Sequence, residues 1–328
     1  MDLLKEMTER LKSLEEHPSF EGITAAARHI DVAQRHYYTS VRDNYEEGFN
    51  DVIYRSNQAF EGMLKEAYSI IVGRSSDKIT PHQIETYFNN NNVLKPRVMQ
   101  LFTNYRREWR NPSTHDHRAT FDEDEAVMAI SSVSSFAYIL LSDIIERENY
   151  LIGAKMAKTT PDIIQVERLD LAHLIAKQVL AYSLANFQPP EFTHKARFIE
   201  ETLWGFLSTQ IPETSFSKEM RLGENRVYRP DIVAQQADEN VIIDIKVSDS
   251  PRFIRDGYWQ LFRYMAYLPN SSGILYLQPE DSKDPLKIIE TSVRSFESLR
   301  DIVIVSRFDA DTITKEVGLN ELKTIDFS

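Results

Sequence analysis

The chain has 328 residues, no cysteine and a formal net charge of −12, with 42% hydrophobic and 27% charged residues. This length allows two modest domains, and the composition is ordinary for a folded soluble protein. The absence of cysteine excludes disulfides and thiolate metal sites and fits a cytoplasmic location. The acidic balance disfavours a broad basic surface for nucleic-acid binding, although a local site bridged by metal ions is compatible with it.

The N-terminus and the apolar segments predict neither a signal peptide nor a membrane span. Residues 1–6 are charged and helical in character, unlike a secretory leader. The longest apolar runs, such as Phe136 to Leu141, are far shorter than the ~18 residues that a membrane helix needs. We therefore expect no membrane association.

The first half of the chain is predicted to be helical. Apolar residues recur at helical spacing from Phe49 to Ile71 and again from Val127 to Ile145. Asp122 and Glu125, three residues apart, form a capping-box pattern just before the second series. Pro81, Pro96 and Pro112 mark loops or helix starts between the two series. Residues 1–155 are therefore predicted to form an all-α helical bundle.

A polar segment within this half contains Arg110-Asn111-Pro-Ser-Thr-His115. A histidine titrates near neutral pH, so His115 could act as a general acid or base toward a ribose 2′-hydroxyl. Arg110 could neutralise a phosphorane-like transition state, with Asn111 holding the geometry. Further basic residues surround the segment and favour a phosphate site: Lys95, Arg97, Arg106, Arg107 and Arg118.

This Arg-x4-His pattern resembles the signature of HEPN domains, helical bundles that often act as metal-independent ribonucleases. The resemblance covers most of residues 25–150. It implies a composite site at a homodimer interface and cleavage to a 2′,3′-cyclic phosphate and a 5′-hydroxyl. Alternatively, Arg110 and His115 are ordinary loop residues that cap a helix end. His115 and His117 lack a third nearby ligand, so a metal site is not predicted there.

The second half, residues 165–328, is predicted to be an α/β domain. The pattern predicts a helix from Asp170 to Asn186 and another from Lys195 to Leu207. Five strands are predicted after these helices: Ser215–Leu222, Tyr228–Gln235, Val241–Val247, Gly273–Gln278 and Asp301–Ser306. A helix from Tyr258 to Tyr267 is predicted between the third and the fourth of them. This order favours an α/β sandwich on a mixed central sheet.

Charged residues interrupt the apolar strand Val241–Val247. Asp244 and Lys246 are two residues apart, so their side chains share one face of the strand. Such a pair would cost several kcal/mol in an apolar strand if left unpaired, and a divalent cation is a suitable partner. If this strand pairs with the preceding one as a hairpin, Asp231 converges with Asp244 on one hard metal ion. Lys246 could then act on the attacking water or on the phosphate.

Pro230-Asp231 followed by Asp244-Ile245-Lys246 resembles the motif of the PD-(D/E)xK nuclease superfamily. The resemblance covers residues 190–280 and implies a restriction-endonuclease-like core that binds Mg²⁺ or Mn²⁺. It also implies an acid on the preceding helix, for which Glu200 is the choice and Glu201 the alternative. Gln260-x-x-x-Tyr264 looks like the element that RecB-like members place beside the metal. The alternatives are a surface hairpin with solvent-facing charges and a degenerate fold kept only for binding.

Together the two resemblances predict a cytoplasmic, two-domain nuclease acting on RNA, DNA or both, in a prokaryotic anti-phage context. In one alternative the helical half only dimerises or senses, and the second half is a DNA endonuclease. In another the chain is an inactive regulatory subunit that binds nucleic acid.

Overall fold

The computed structural model describes residues 2–116, 118–160, 169–184, 194–218, 220–223, 225, 227–279, 285–294, 299–318 and 323–325. Its contacts divide the chain into two compact units, the first reaching to Glu148 and the second beginning at Asn149. A single long helix, Glu123–Thr159, contributes residues to both units. The boundary predicted at residue 155 thus falls within this helix.

Helices make up the described part of the first unit, which confirms the all-α prediction. A short 3₁₀ turn follows the first helix, and a π-helical turn, Arg106–Arg110, separates the fifth from the sixth. The α-helices are α1 Leu3–Leu11, α2 Phe20–Asp43, α3 Gly48–Val72, α4 Pro81–Asn90, α5 Pro96–Tyr105, α6 Asn111–His115 and α7 Glu123–Thr159.

The predicted start of α7 and the predicted apolar helix faces are both present in the structure. Glu125 N donates to Asp122 Oδ1 at 2.9 Å and Asp122 N donates to Glu125 Oε2 at 3.0 Å, which is the predicted capping box. The rings of Phe60, Phe102 and Phe136 meet in the core with centroids 5.0–5.6 Å apart. The apolar faces of α3, α5 and α7 therefore bury against one another.

Among the described residues, α7 is the one helix long and apolar enough, by composition alone, to cross a membrane. Half of its most apolar stretch is buried inside the protein. Its buried side chains include Val133, Phe136, Leu140 and Ile144, which belong to the core of the first unit. α7 therefore serves as a core helix of the first unit.

A mixed seven-stranded sheet with order β1-β2-β3-β4-β6-β5-β7 forms the centre of the second unit. Pairs β3–β4 and β4–β6 are parallel, and the other neighbours are antiparallel. The elements are α8 Leu171–Leu184, α9 Lys195–Gln210, β1 Ser215–Lys218, β2 Ile232–Gln236, β3 Glu239–Val247, α10 Arg252–Met265, β4 Ser271–Gln278, β5 Lys287–Arg294, β6 Leu299–Ser306, α11 Ala310–Val317 and β7 Lys323–Ile325.

Helices cover both faces of this sheet. Alternate β3 residues, Ile243 and Ile245, belong to the core formed with α8 and α9. Ile242 belongs to the opposite core, formed with α10 and α11. Because side chains alternate along a strand, Asp244 and Lys246 lie on the α10 side. The α+β architecture with a mixed sheet is therefore confirmed, and it fixes which helix faces the charged pair.

Two of the predicted strands, β1 and β2, are shorter in the structure than predicted. β2 begins at Ile232 rather than Tyr228, because Pro230 has no amide hydrogen to donate to a neighbouring strand. β1 ends at Lys218 rather than Leu222, and Leu222 makes only an isolated bridge to Tyr228. The sequence did not predict β5, whose residues mix polar and apolar types, nor the short elements α11 and β7.

Two helices of the second unit cross at backbone distance. A Cβ on Gly205 of α9 would lie 2.0 Å from the carbonyl oxygen of Tyr150 in α7. A Cβ on Gly153 of α7 would lie 1.8 Å from the carbonyl oxygen of Thr202 in α9. No side chain fits at either position, so the two glycines set the distance of α9 from α7.

Candidate functional site

The β2–β3 hairpin brings the predicted carboxylates together. Ile232 pairs with Ile243 in this antiparallel ladder, so the next residues outward are Asp231 and Asp244. Asp231 Oδ2 accepts a hydrogen bond of 2.7 Å from the backbone amide of Ile245. The hairpin on which the sequence prediction depended is therefore present, and it fixes Asp231 against β3.

Asp244 is buried, with 1% of its surface exposed. The ammonium of Lys246 lies 2.7 Å from its Oδ2, whereas its Oδ1 is buried without a hydrogen-bond partner. Burial raises the pKa of the Asp244 carboxyl, and the charge of Lys246 opposes that rise. A surface hairpin with solvent-facing charges is therefore excluded at this position. A buried oxygen without a partner is costly in the folded protein unless something else binds it.

Lys246 is held between β3 and α10. Its Nζ donates to Gln260 Oε1 at 3.0 Å, and Gln260 Nε2 in turn contacts the hydroxyl of Tyr264. The Tyr264 hydroxyl donates to the carbonyl oxygen of Arg229, two residues before Asp231, at 3.4 Å. The Gln-x-x-x-Tyr spacing places both side chains on the same face of α10, because residues four apart are neighbours on a helix. Tyr264 can therefore hold Gln260, and Gln260 can hold Lys246, in a relay of hydrogen bonds.

The two glutamates of α9 have different surroundings. Glu201 is fully buried and accepts hydrogen bonds from Arg197 Nε at 2.6 Å and Asn149 Nδ2 at 2.7 Å. Glu200 lies 3.3 Å from Lys218 Nζ. Burial raises the pKa of Glu200, Lys218 opposes the rise, and the charge of Asp231 adds to it. Glu200 is therefore influenced by the charge of Asp231, whereas Glu201 is bound mainly by Arg197 and Asn149 and also lies 3.6 Å from Lys218 Nζ. The choice of Glu200 as the helical acid stays a prediction.

The electrostatics of the carboxylate pair suit a hard cation. Burial, and next the charge of Asp244, raise the pKa of Asp231 to about 6. Among the described residues no three of His, Asp and Glu are grouped closely enough to form a complete metal site. Mg²⁺ commonly takes only one or two protein carboxylates and fills its other positions with water and phosphate. Asp231 and Asp244 fit that habit, and Glu200 as a third ligand stays a prediction.

The side chains of Arg110, Asn111 and His115 in the Arg-x4-His segment also lie close together. Arg110 ends the π-helical turn and His115 ends α6, so both lie in helical backbone rather than in a loop. Arg110 Nη1 lies 3.5 Å from His115 Nε2 and donates to Asn111 Oδ1 at 3.3 Å. Their backbone is helical rather than loop, but both residues lie at helix ends, so the alternative that they are ordinary helix-end residues stays open. π-Helical turns are rare and often occur at functional sites.

Carboxylates neutralise part of the basic cluster predicted around this segment. Arg110 Nε donates to Glu61 Oε1 on α3 at 2.9 Å, and Arg106 Nε lies 2.8 Å from the buried Glu85 of α4. Arg106 is therefore held by an internal partner, and the phosphate site that the basic cluster favours stays a prediction. His117 lies outside the described residues.

Two charged residues at these sites were missed by the sequence reading. Lys218 pairs with Ile232 across β1–β2, which places it next to Asp231 and Glu200. A lysine at the end of a short strand of otherwise uncharged residues was the available signal. Glu61 lies one helical turn after Asn57 on α3, and Asn57 Nδ2 donates to Ser113 of α6 at 2.7 Å. Neither contact can be read from spacing alone, because each joins distant segments.

No protein-family model matches this sequence, and no curated protein matches it. What the two clusters do is therefore inferred from their geometry alone.

Proposed function

We propose that this chain is a metal-dependent nuclease whose active site is Asp231, Asp244 and Lys246 in a restriction-endonuclease-like core. The observation that carries the proposal is the buried, partnerless Oδ1 of Asp244 beside a second carboxylate of raised pKa. A lysine held at the same point completes a site for a phosphodiester. The acidic overall charge is compatible with it, because the positive groups that meet phosphate are local.

Asp231 and Asp244 would bind Mg²⁺ or Mn²⁺, with Glu200 assisting. The metal would supply Lewis-acid polarisation of the phosphoryl oxygen and a bound water of lowered pKa. Lys246 donates hydrogen bonds to a phosphate oxygen or to the attacking water. Gln260 and Tyr264 keep its ammonium in place. A bond from the water oxygen to phosphorus forms, the bond from phosphorus to the leaving sugar oxygen breaks, and that oxygen takes up a proton.

The test compares wild type with Lys246→Ala on labelled DNA and RNA, in Mg²⁺ and in EDTA. We expect wild type to cleave at least one substrate in Mg²⁺ and Lys246→Ala to lose that cleavage. Lys315→Ala, an exposed lysine of α11, is the matched control and should keep wild-type activity. Equal cleavage by wild type and Lys246→Ala would contradict the assignment.

A second candidate function is metal-independent RNA cleavage by the first unit. The 3.5 Å approach of Arg110 to His115 favours it. In this reaction the ribose 2′-hydroxyl attacks the adjacent phosphorus, and the 5′-oxygen leaves with a proton. His115 handles the protons, Arg110 stabilises the charge and Asn111 orients the arginine. As the HEPN resemblance implies, the active form would be a homodimer.

RNA cleavage that survives EDTA and is lost in His115→Ala would support this second function, with His36→Ala of α2 as the control. Loss of all cleavage in EDTA would leave the first unit as a dimerisation or sensing module. Binding without cleavage under any metal, equal in wild type and Lys246→Ala, would favour a regulatory subunit. Anti-phage defence in the cytoplasm is the context in which we place this nuclease, by analogy with the paired domain types.

A further inference from the structure

A cleft of about 510 Å³ opens on the outer face of α10. Its lining combines aromatic and charged side chains: Tyr228, Arg255, Asp256, Trp259, Gln260, Arg263 and Tyr264. This volume lies within the usual range of small-ligand sites, and the aromatic content is typical of them. Gln260 and Tyr264 also hold Lys246, so the cleft begins where the carboxylate site ends.

Three residues of α10 form a stripe along this cleft. Arg255, Trp259 and Arg263 are four residues apart, so they lie one above another on the same helical face. Arg263 Nε donates to the carbonyl oxygen of Trp259 at 3.3 Å, which directs its guanidinium along the helix. Trp259 is 44% exposed, although a large aromatic side chain ordinarily buries more. The stripe therefore presents an aromatic face between two cations.

The charge of this stripe is opposite to that of the whole chain. α10 contains Arg252, Arg255 and Arg263 against a single acid, Asp256, in a protein whose net charge is −12. The Arg255–Asp256 pair is 3.8 Å long and both partners are more than half exposed, so it contributes little and does not neutralise the arginine. Local positive charge in an acidic protein points to an anionic ligand.

We propose that this cleft binds an unpaired nucleotide of single-stranded nucleic acid, next to the nucleotide whose phosphate reaches Lys246. The base stacks on Trp259, and Arg255 and Arg263 contact the phosphates on either side. A base has a free face for such stacking only when it is not stacked within a duplex. This inference rests on the proposed nuclease function for its biological meaning, but the binding itself does not require cleavage.

The test measures binding of fluorescein-labelled oligothymidylate by anisotropy in EDTA, for wild type, Trp259→Ala, Trp259→Phe and Arg263→Gln. DNA is the probe because it lacks the 2′-hydroxyl that a metal-free ribonuclease would attack. We expect Trp259→Ala to weaken binding about tenfold, as for loss of one base–aromatic stack, and Trp259→Phe to retain most of the affinity. Arg263→Gln should lower the salt dependence of binding by about 0.7 in its logarithmic slope.

Arg252→Gln is the matched control, because Arg252 is exposed on the same helix but does not line the cleft. It should leave binding close to wild type. Equal weakening by Arg252→Gln and Arg263→Gln, or unchanged binding by Trp259→Ala and Arg263→Gln, would overturn the proposal. Tighter binding of duplex than of single strand would also overturn it. If Trp259→Ala fails to fold, the binding of Trp259→Phe and Arg263→Gln still tests the proposal.

The two proposals fail separately. Cleavage lost in Lys246→Ala, with binding unchanged in Trp259→Ala, keeps the nuclease and removes the nucleotide cleft. Binding lost in Trp259→Ala, in a protein that never cleaves, keeps the cleft and removes the nuclease.

Discussion

The two candidate sites differ in how their charges are balanced. In the second unit, the half-buried Asp231 lies beside the buried Asp244, whose Oδ1 has no hydrogen-bond partner. In the first unit, Arg110 has its carboxylate, Glu61, within 2.9 Å, and His115 is exposed. The first arrangement leaves a buried carboxylate oxygen without a partner, whereas the arginine of the second has a carboxylate partner. The comparison teaches that a cation is needed only to explain the charge balance of the second unit's cluster, so the two proposed routes to cleavage should respond differently to removal of metal.

Asp244→Asn should give the largest effect and should move activity and stability in opposite directions. Losing a metal ligand removes several kcal/mol of transition-state stabilisation, so Mg²⁺-dependent cleavage should fall about a thousandfold or more. In EDTA the same variant should unfold at a higher temperature than wild type, because it removes a buried charge. Cleavage assays and thermal unfolding measure the two effects.

Asp238→Asn, in the exposed turn of the same hairpin, is the control and should change neither property. A lower unfolding temperature for Asp244→Asn in EDTA would mean that the carboxylate is already satisfied without metal, which would break the contrast between the two sites.

Arg110→Lys should weaken metal-free RNA cleavage about a hundredfold, because an ammonium cannot bind Glu61 and a phosphate oxygen with the planar fork of a guanidinium. Metal-dependent cleavage should not change. The measurement is initial cleavage rates of a labelled RNA in EDTA and of the preferred substrate in Mg²⁺. Arg107→Lys, an exposed arginine of the same π-helical turn, is the control. A parallel fall in both activities would indicate that the two units do not act independently.

Tyr264→Phe should lower the metal-dependent rate about tenfold, a typical loss when a group behind the reacting residue is removed. Without the hydroxyl, Gln260 loses its contact and Lys246 becomes less well oriented. The effect should lie in kcat rather than in KM. Tyr54→Phe, an exposed tyrosine of α3, serves as the control. An unchanged kcat would show that the relay on α10 is only structural.

The smallest effect expected is on the pH dependence of stability in EDTA. The pKa of Asp231 is about 6 in the folded protein, against an ordinary value of 3.8. The folded protein therefore binds a proton more tightly than the unfolded chain, and its stability should rise as the pH falls through about 6. The gain is complete below 3.8. Thermal unfolding across this range measures it, and Asp231→Asn should flatten the profile.

Added Mg²⁺ should replace the proton as the stabilising ligand near neutral pH, with a concentration-dependent rise in unfolding temperature. A profile that falls as the solution is acidified through this range, in wild type and Asp231→Asn alike, would show that other groups control the titration.

Most of the fold and part of each candidate site could be predicted from local sequence patterns. The spacing of apolar residues from Phe49 to Ile71 predicted α3, and alternation predicted that Asp244 and Lys246 share a face of β3. Lys218 and Glu61 escaped because their partners lie on other elements, and pattern alone does not show which elements pack together. β5 escaped because it alternates weakly between polar and apolar residues.

The glycine crossing between α7 and α9 has a consequence for mutational tolerance. Most overpacked positions adapt by rotating a neighbouring side chain, but Gly153 and Gly205 each face a carbonyl oxygen of the opposite helix, which has no rotamer to change. Even alanine at either position would force α9 away from α7. Glu200 and Glu201 lie on α9, so a methyl group on either glycine would shift both acids. The absence of a side chain at Gly153 and Gly205 thereby fixes the positions of charged side chains elsewhere on α9.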